Sequence, residues 1–190
     1  MVPTAINHNE HMKTGIFVGS FNPFTLGHHS IVTRVLPLFD RLVIGVVGQQ
    51  VNKPGQPSAE ERAQAIRRIY SQEPRIAVKP YYGLAIDFAR QEGARYIVKG
   101  VRSVKDYEYE RDQADVNRLL SNGQVETLLL FAEPQLAAIS SSMVRELQHY
   151  GQDVSSFLPD FPKVPEIPDS PEIPEAPGSP EKTTLIYDNL

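Results

Sequence analysis

Residues 15–28 read GIFVGSFNPFTLGH, and the rest of the chain is best interpreted outward from this stretch. The apolar run at its start predicts a short buried strand that ends at Gly19. The chain then turns through Asn22-Pro23, and a Gly27-His28 pair opens a helix. The first N–H groups of a helix lack internal partners, and the helix dipole is positive there. The stretch is therefore typical of a phosphate-binding turn, although it matches neither the Walker A pattern nor Gly-x-Gly-x-x-Gly.

On both sides of this turn, apolar runs alternate with amphipathic stretches. Strands are expected near 14–19, 42–48, 76–79, 95–99 and 125–131. Helices are expected near 27–38, 58–71, 84–92, 104–120 and 141–150, with a capping box at Ser58-Ala59-Glu60-Glu61 and a stop near Pro37. This alternation predicts an α/β fold: a Rossmann-like, doubly wound, mostly parallel five-stranded sheet with helices on both faces. Because ligands of such sheets bind beyond the carboxyl ends of the strands, the chemistry is expected in loops 19–28, 49–57, 100–103 and 132–142.

Composition and charge exclude several classes of protein. The 190 residues include no cysteine, which rules out disulfides and Cys-based zinc sites and permits a reducing compartment. No apolar run approaches the ~20 residues of a membrane helix, and no secretory signal is visible. Residues 159–190 carry seven acidic residues and two lysines, so the net charge of −4 comes from this segment and residues 1–158 are nearly neutral. A general nucleic-acid binder, which would need a basic face, is not indicated.

The chain divides into three parts. Residues 1–12 are polar and are expected to be a disordered leader, residues 13–158 form the α/β domain, and residues 159–190 form an extended, proline-rich acidic tail. The tail has proline at every third position: Pro159, Pro162, Pro165, Pro168, Pro171, Pro174, Pro177 and Pro180. Polyproline II has three residues per turn, so the rings would stack along one edge. A solvated, partly disordered linker and a docking segment for an unknown partner both remain open.

The candidate chemistry begins with His28. A lone histidine near a helix start is often only a cap, but within the Gly19–His28 turn it is well placed to donate a hydrogen bond to a phosphoryl oxygen. Ser20 would add a hydroxyl and Phe21 a backbone N–H, although Ser20 could be a simple turn residue. The neighbouring His29 lacks such a setting and is expected at the surface.

Cations follow the second and fourth predicted strands. Lys53 is the only Lys or Arg in loop 49–57, where its charge could reach a phosphate or merely be solvated. Lys99 and Arg102 flank a glycine after the fourth strand and suit a second phosphate clamp, the alternative being ordinary surface ion pairs. Glu110 is either a polar contact to a nucleotide or one of several solvated acids.

Ser140, Ser141 and Ser142 precede the last predicted helix, where they can cap it and also bring hydroxyl and N–H groups to the same rim. The sequence shows no Ser-His-Asp or Cys-His pattern and no paired carboxylates. Phosphate-binding donors without a nucleophile or base suit a reaction in which the attacking group is itself a phosphate, which is already anionic.

Taken in order, these segments resemble the phosphopantetheine adenylyltransferase family, and Thr25-Leu26-Gly27-His28 matches the T/HxGH signature of its nucleotidyltransferase superfamily. The similarity extends from about residue 14 to residue 158. The matching segments are 19–31, 52–55 with 60–62, 83–89, 99–110 with 117–118, 139–144, and 151–154 with 157–159. One motif alone would indicate only the superfamily, whereas all of them in this order indicate the family.

The resemblance implies transfer of the adenylyl group of ATP to 4′-phosphopantetheine in a cytoplasmic homohexamer. It implies Mg²⁺ bound through the ATP phosphates, with no metal ligands from the protein. The implied catalytic groups are His28, Lys53 and Arg102, and the implied substrate contacts are Ser20, Lys53, Ala85 and Lys99. The implied ATP contacts are Ser20, Phe21, His28, Gly100, Val101, Arg102, Glu110, Leu136, Ala137, Ala138, Ile139, Ser140, Ser141 and Ser142.

The chain departs from the family pattern at three places: Asn22 stands where Asp is usual, Lys99 replaces Arg and loses its fork, and the tail replaces a short terminal helix. Two alternatives therefore stay open. One is a related nucleotidyltransferase acting on a substrate such as nicotinate mononucleotide. The other is a catalytically weak nucleotide-binding scaffold that recruits partners through its tail.

Overall fold

Five parallel strands form one sheet in the computed structural model, which describes residues 12–48 and 56–160. The predicted leader up to residue 11, the Lys53 loop at 49–55 and the tail from residue 161 lie outside the described residues. The strands are β1 (Thr14–Gly19), β2 (Arg41–Val47), β3 (Ile76–Tyr81), β4 (Tyr96–Val101) and β5 (Glu126–Phe131). The helices are α1 (Leu26–Val35), α2 (Ala59–Ile69), α3 (Ala85–Gln91), α4 (Val104–Leu120) and α5 (Ser141–His149), with 3₁₀ turns at Leu36–Leu38, Pro134–Leu136 and Ser155–Phe157.

The strand order is β3-β2-β1-β4-β5, and every pair is parallel. The chain builds outward from β1 in one direction to β3, and then returns to add β4 on the other side of β1. The order therefore reverses between β1 and β4, where ligands of open α/β sheets bind. The predicted Rossmann-like, doubly wound fold is confirmed, with a sheet that is parallel throughout the described residues.

Alternating side chains of the central strands fill two cores, one on each face of the sheet. On one face, Phe17 and Ile44 pack with apolar residues of α1 and α2. On the other face, Ile16 and Val43 pack with the buried side of α3. Burial of each such side chain contributes about 1.5–3 kcal/mol. The two cores fix β1 and β4 side by side, so the loops that follow them meet at one edge.

Two local predictions show how sequence sets the ends of helices. Ser58 and Glu61 form the predicted capping box: Ser58 Oγ accepts from the Glu61 N–H at 3.2 Å and Glu61 Oε2 accepts from the Ser58 N–H at 2.7 Å. Pro37 ends α1 as predicted, because α1 stops at Val35 and continues only as a 3₁₀ turn. Among the described residues, no helix has both the length and the apolar character required to cross a bilayer.

Candidate active site

A cleft of about 350 Å³ lies at the carboxyl ends of β1 and β4, where the strand order reverses. Three segments line it: the turn after β1 with the start of α1, the end of β4 with the start of α4, and the loop after β5 with the start of α5. From the first segment, the candidate site residues Ser20, Phe21 and His28 line the cleft. These three segments include three of the four loops in which the chemistry was expected.

His28 is held by the residue that begins its own helix. The buried Thr25 is the N-cap of α1, and its backbone N–H donates to His28 Nδ1 at 3.0 Å. Because Nδ1 accepts this bond, the proton of a neutral ring must reside on Nε2. The Thr25 hydroxyl oxygen also lies 3.0 Å from Nδ1. The helix cap therefore uses only Nδ1 of His28 and leaves its Nε2–H available as a donor.

Three phenylalanines surround the His28 ring. The ring centroids of Phe17, Phe21 and Phe24 lie 6.4, 5.1 and 5.4 Å from that of His28, and the Phe21 ring meets it edge-on at 88°. Burial lowers the pKa of His28, the positive charge of Arg102 adds to this effect, and together they bring it to about 4. At neutral pH the imidazole is therefore uncharged and offers Nε2–H as a hydrogen-bond donor.

One glycine allows α1 and β4 to pack closely beside the cleft. A Cβ on Gly100 would lie 3.2 Å from Ile31 Cγ1, so the Ile31 side chain would have to shift by a few tenths of an ångström. A Cβ on Gly27 would lie 3.6 Å from the Ile139 carbonyl oxygen, which is an ordinary contact distance. The packing therefore favours a small residue at Gly100.

The opposite side of the cleft is charged. Lys99 Nζ lies 3.1 Å from Glu110 Oε2, and both side chains are mostly buried. Arg102 Nε lies 2.8 Å from Asp106 Oδ2 one helical turn away, and Ser103 caps α4 by accepting from the Asp106 N–H. The candidate site residues of this segment all line the cleft: Lys99, Gly100, Val101, Arg102 and Glu110. Each cation faces the cleft but is paired with a carboxylate.

The third segment is fastened to the first by hydrogen bonds. Ser141 Oγ donates to the Pro23 carbonyl at 2.8 Å, and Ser30 Oγ donates to Glu133 Oε1 at 2.7 Å. Ser140 caps α5 by accepting from the Met143 N–H at 3.1 Å. Leu136, Ile139, Ser140, Ser141 and Ser142 line the cleft. The start of α5 therefore adds free N–H groups and hydroxyls beside those of α1.

The comparisons with known proteins agree with this geometry. A family profile described as cytidylyltransferase-like matches residues 16–147. A phosphopantetheine adenylyltransferase of Bacteroides fragilis is 50% identical over 148 residues, which cover 78% of this chain and 97% of that protein. Those of Bacteroides thetaiotaomicron and Leuconostoc citreum are 48% and 42% identical, over 78% of this chain and 97% and 92% of theirs. The chain belongs to the phosphopantetheine adenylyltransferase family. The predicted resemblance is thereby confirmed.

A solved structure supports the fold at much lower similarity. The bifunctional NMN adenylyltransferase/ADP ribose pyrophosphatase of Francisella tularensis superimposes with a TM-score of 0.60 at 15% identity. The match covers 79% of this chain and 46% of that one, so it supports the shared fold and nothing finer.

Some predicted site residues of this family member do not line the cleft. Ala137 and Ala138 lie within the third segment, between Leu136 and Ile139, but are not among the lining residues. Ala85 is the first residue of α3. Lys53 lies outside the described residues. The roles assigned to the individual site residues remain predictions.

Sequence reasoning missed two arginines and misplaced one histidine. Arg145 lines the cleft and donates to the Asn22 carbonyl and to Ser142 Oγ, a role that its three-residue spacing from Ser142 could have suggested. Arg62 donates to the carbonyls of Ser20, Val47 (3.1 Å) and Pro57 (3.2 Å), joining loops distant in sequence. The expectation that His29 is a surface residue is wrong, because its ring is half-buried against Tyr70.

Metal ligands are sparse in the part of the chain that the structure describes. Across residues 12–48 and 56–160, no group of three or more His, Cys, Asp or Glu side chains could hold an ion. The carboxylates that line the cleft, Asp106 and Glu110, are both paired with cations. The lining residues thus offer an ion few ligands, whereas they offer phosphate oxygens many donors.

Proposed function

We propose that this chain transfers the adenylyl group of ATP to 4′-phosphopantetheine. An oxygen of the 4′-phosphate attacks the α-phosphorus of ATP, the bond from that phosphorus to the β-bridging oxygen breaks, and pyrophosphate leaves with dephospho-coenzyme A as the second product. Membership of the phosphopantetheine adenylyltransferase family, across 97% of a relative's length, carries the substrate assignment. The cleft supports the reaction type because it contains groups that can donate hydrogen bonds to phosphate oxygens but no evident general base.

His28 supplies a neutral donor in this proposal. Its Nε2–H would donate to a non-bridging oxygen of the α-phosphate, where negative charge changes most during the displacement. Because burial keeps the pKa of the ring at about 4, the donor needs no proton exchange at neutral pH. Arg102 would bind the ATP phosphates through its planar fork after leaving Asp106. Lys53 is assigned the incoming phosphate from sequence alone.

Mg²⁺ bound through the ATP phosphates is part of the proposal. The paired state of Asp106 and Glu110 fits an ion held by phosphates better than one held by a protein cage. When bound, the ion would neutralise charge on the leaving pyrophosphate. Calorimetric titration of ATP with and without Mg²⁺ should show tighter binding with the ion. Equal affinities for ATP with and without Mg²⁺ would show that the ion does not contribute to ATP binding.

A homohexamer in the cytoplasm is also proposed from the family resemblance. Helix α4 supports an assembly because none of its 17 residues is buried, even the apolar ones: Val104 and Leu119 are both 76% exposed. Exposed apolar residues of this kind are typical of an interface. Sedimentation velocity on the full chain should give six copies per particle. A stable monomer at micromolar concentration would contradict the hexamer. The tail's unknown partner stays a sequence prediction, because the tail lies outside the described residues.

Pyrophosphate release tests the function directly. The full chain, supplied with ATP, Mg²⁺ and 4′-phosphopantetheine, should release pyrophosphate and form dephospho-coenzyme A in equal amounts. Nicotinate mononucleotide in place of phosphopantetheine should give no release above background. Turnover with ATP and nicotinate mononucleotide but not with phosphopantetheine would favour the related nucleotidyltransferase. ATP binding without turnover of either substrate would favour the catalytically weak scaffold.

A further inference from the structure

Tyr70 and His29 form a contact that the proposed chemistry does not use. Tyr70 is the C-cap residue of α2, and His29 lies in the first turn of α1. The Tyr70 hydroxyl and His29 Nδ1 are hydrogen-bonded at 2.8 Å, and the two rings stack with centroids 5.6 Å apart at 21°. Neither residue lines the cleft. A stacked and hydrogen-bonded pair fixes both the distance and the rotation between two helices.

The pair reaches His28 by two routes. The first runs along the backbone, because His29 follows His28 and its N–H donates to the Thr25 carbonyl at 3.0 Å. The second runs through Phe24, whose ring meets Tyr70 edge-on at 6.1 Å and faces His28 at 5.4 Å. Both routes end on the imidazole whose orientation the proposed reaction needs.

Burial favours the uncharged form of both partners in the pair. Burial raises the pKa of Tyr70 well above its ordinary value and lowers the pKa of His29. The phenol therefore stays protonated and the imidazole uncharged at neutral pH. Since a hydrogen bond between neutral groups contributes only about 0.5–1.5 kcal/mol, its value lies more in alignment than in stability.

We propose that Tyr70, acting with His29, is a positioning residue for His28: it sets the rotation of α1 and presses Phe24 against the imidazole. The inference rests on the proposed adenylyl transfer. Misalignment of a catalytic group by about 1 Å can cost about a hundredfold in rate, so a residue outside the cleft can affect turnover. Because Tyr70 is not among the residues that line the cleft, its removal should lower kcat and leave KM for ATP nearly unchanged.

Two substitutions at Tyr70 separate the hydroxyl from the ring. Tyr70→Phe keeps the edge contact with Phe24 and should lower kcat about threefold, whereas Tyr70→Leu should lower it about thirtyfold. KM for ATP should stay within about twofold in both. The matched controls are Tyr96→Phe and Tyr96→Leu, since Tyr96 packs on Phe39 at the start of β4, the sheet edge opposite the cleft. Both controls should keep the wild-type kcat.

His29 gives a rescue test of the same contact. His29→Leu should lower kcat as Tyr70→Phe does, and His29→Asn, which places an acceptor near the Nδ1 position, should restore most of it. The double variant His29→Leu/Tyr70→Phe should be no slower than either single variant, because both remove one hydrogen bond. Fully multiplicative losses in the double variant would overturn the pairing.

Nitrogen-15 NMR of the His28 ring supplies a readout without turnover. In Tyr70→Leu the pKa of His28 should rise toward 6.5, because the loosened Phe24 admits water; in Tyr96→Leu it should not move. An unchanged His28 pKa together with unchanged kcat in Tyr70→Leu would overturn the proposal. If the wild-type chain lacks adenylyl transfer, the proposed function fails, while the NMR comparison still decides whether Tyr70 positions His28.

Discussion

The two sides of the cleft hold their hydrogen-bond donors by different physical means. The aromatic wall, formed by Phe17, Phe21 and Phe24, encloses a single neutral donor, His28. The ionic wall consists of two ion pairs, Lys99–Glu110 and Arg102–Asp106. One donor is therefore uncharged and fixed by its helix cap. The other two are charged and held by carboxylates that an incoming phosphate would have to replace.

The two types of donor suit different steps of the proposed reaction. A neutral donor in an apolar setting keeps its orientation without a counter-ion, so it suits the atom at which charge develops. A cation paired with a carboxylate exchanges one anionic partner for another, so it suits the binding of a whole phosphate group. The comparison predicts that damage to the aromatic wall lowers kcat and damage to the ionic wall raises KM.

The largest effect is expected at His28. His28→Ala should lower kcat about 10²–10³-fold, because it removes the donor at the reacting phosphorus. His28→Gln, which keeps an N–H near the Nε2 position, should recover part of the loss. Pyrophosphate release measures both variants. A loss in His28→Ala of less than about tenfold, or ~1.4 kcal/mol, would show that the aromatic wall has no special part in the chemistry.

The next effect concerns the fork of Arg102. Arg102→Gln should raise KM for ATP about 10–100-fold with a smaller change in kcat, and Arg102→Lys should lie between it and the wild type. Arg75→Gln is the control, because Arg75 forms an exposed pair with Glu73 outside the cleft lining. Steady-state kinetics at several ATP concentrations measures the split. A selective fall in kcat would contradict the division of roles.

A smaller effect should appear in the stability of the ionic wall. Lys99→Met leaves the Glu110 carboxylate mostly buried without its partner, so the free energy of unfolding should fall by about 1–3 kcal/mol. The double variant Lys99→Met/Glu110→Gln should recover much of this loss, since no uncompensated charge remains. Urea denaturation monitored by circular dichroism measures both. Equal stability of the single and double variants would show that the pair is not coupled.

The smallest effect is the pH dependence of the aromatic wall. The pKa of His28 is about 4 in the folded chain, below its ordinary value of 6.5. The unfolded chain therefore binds a proton at His28 more readily than the folded chain does. Because of this difference, the free energy of unfolding falls as the pH drops from about 6.5 toward 4. Between pH 7 and pH 5.5 the wild type should lose about 1 kcal/mol more than His28→Gln does. Parallel pH profiles in urea denaturation would refute the lowered pKa.

The local predictions from sequence succeeded where neighbouring residues decide the outcome. The run before Gly19 forms β1, Ser58 caps α2 with Glu61, and α4 spans 104–120 as its pattern predicted. Each depends on contacts within one turn or one strand, so the residue order is sufficient to specify it. The prediction that the loops of β1 and β4 meet also succeeded, because parallel topology places their carboxyl ends together.

The sequence did not predict the contacts that join segments far apart along the chain. Arg62 reaches Ser20 and Val47, and Arg145 reaches Asn22. A long guanidinium side chain can satisfy carbonyls on many different loops, and nothing in its neighbours selects among them. The expectation that His29 lies at the surface failed for the same reason, since its partner Tyr70 lies 41 residues away.

Residue order was sufficient to specify the strands, the helices and the turn between β1 and α1, because periodicity and capping act over a few residues. The protonation state of His28 and the pairing of Lys99 with Glu110 emerged only in the folded chain. Both depend on burial and Coulomb interaction, which are set by distances in space and not by spacing along the chain.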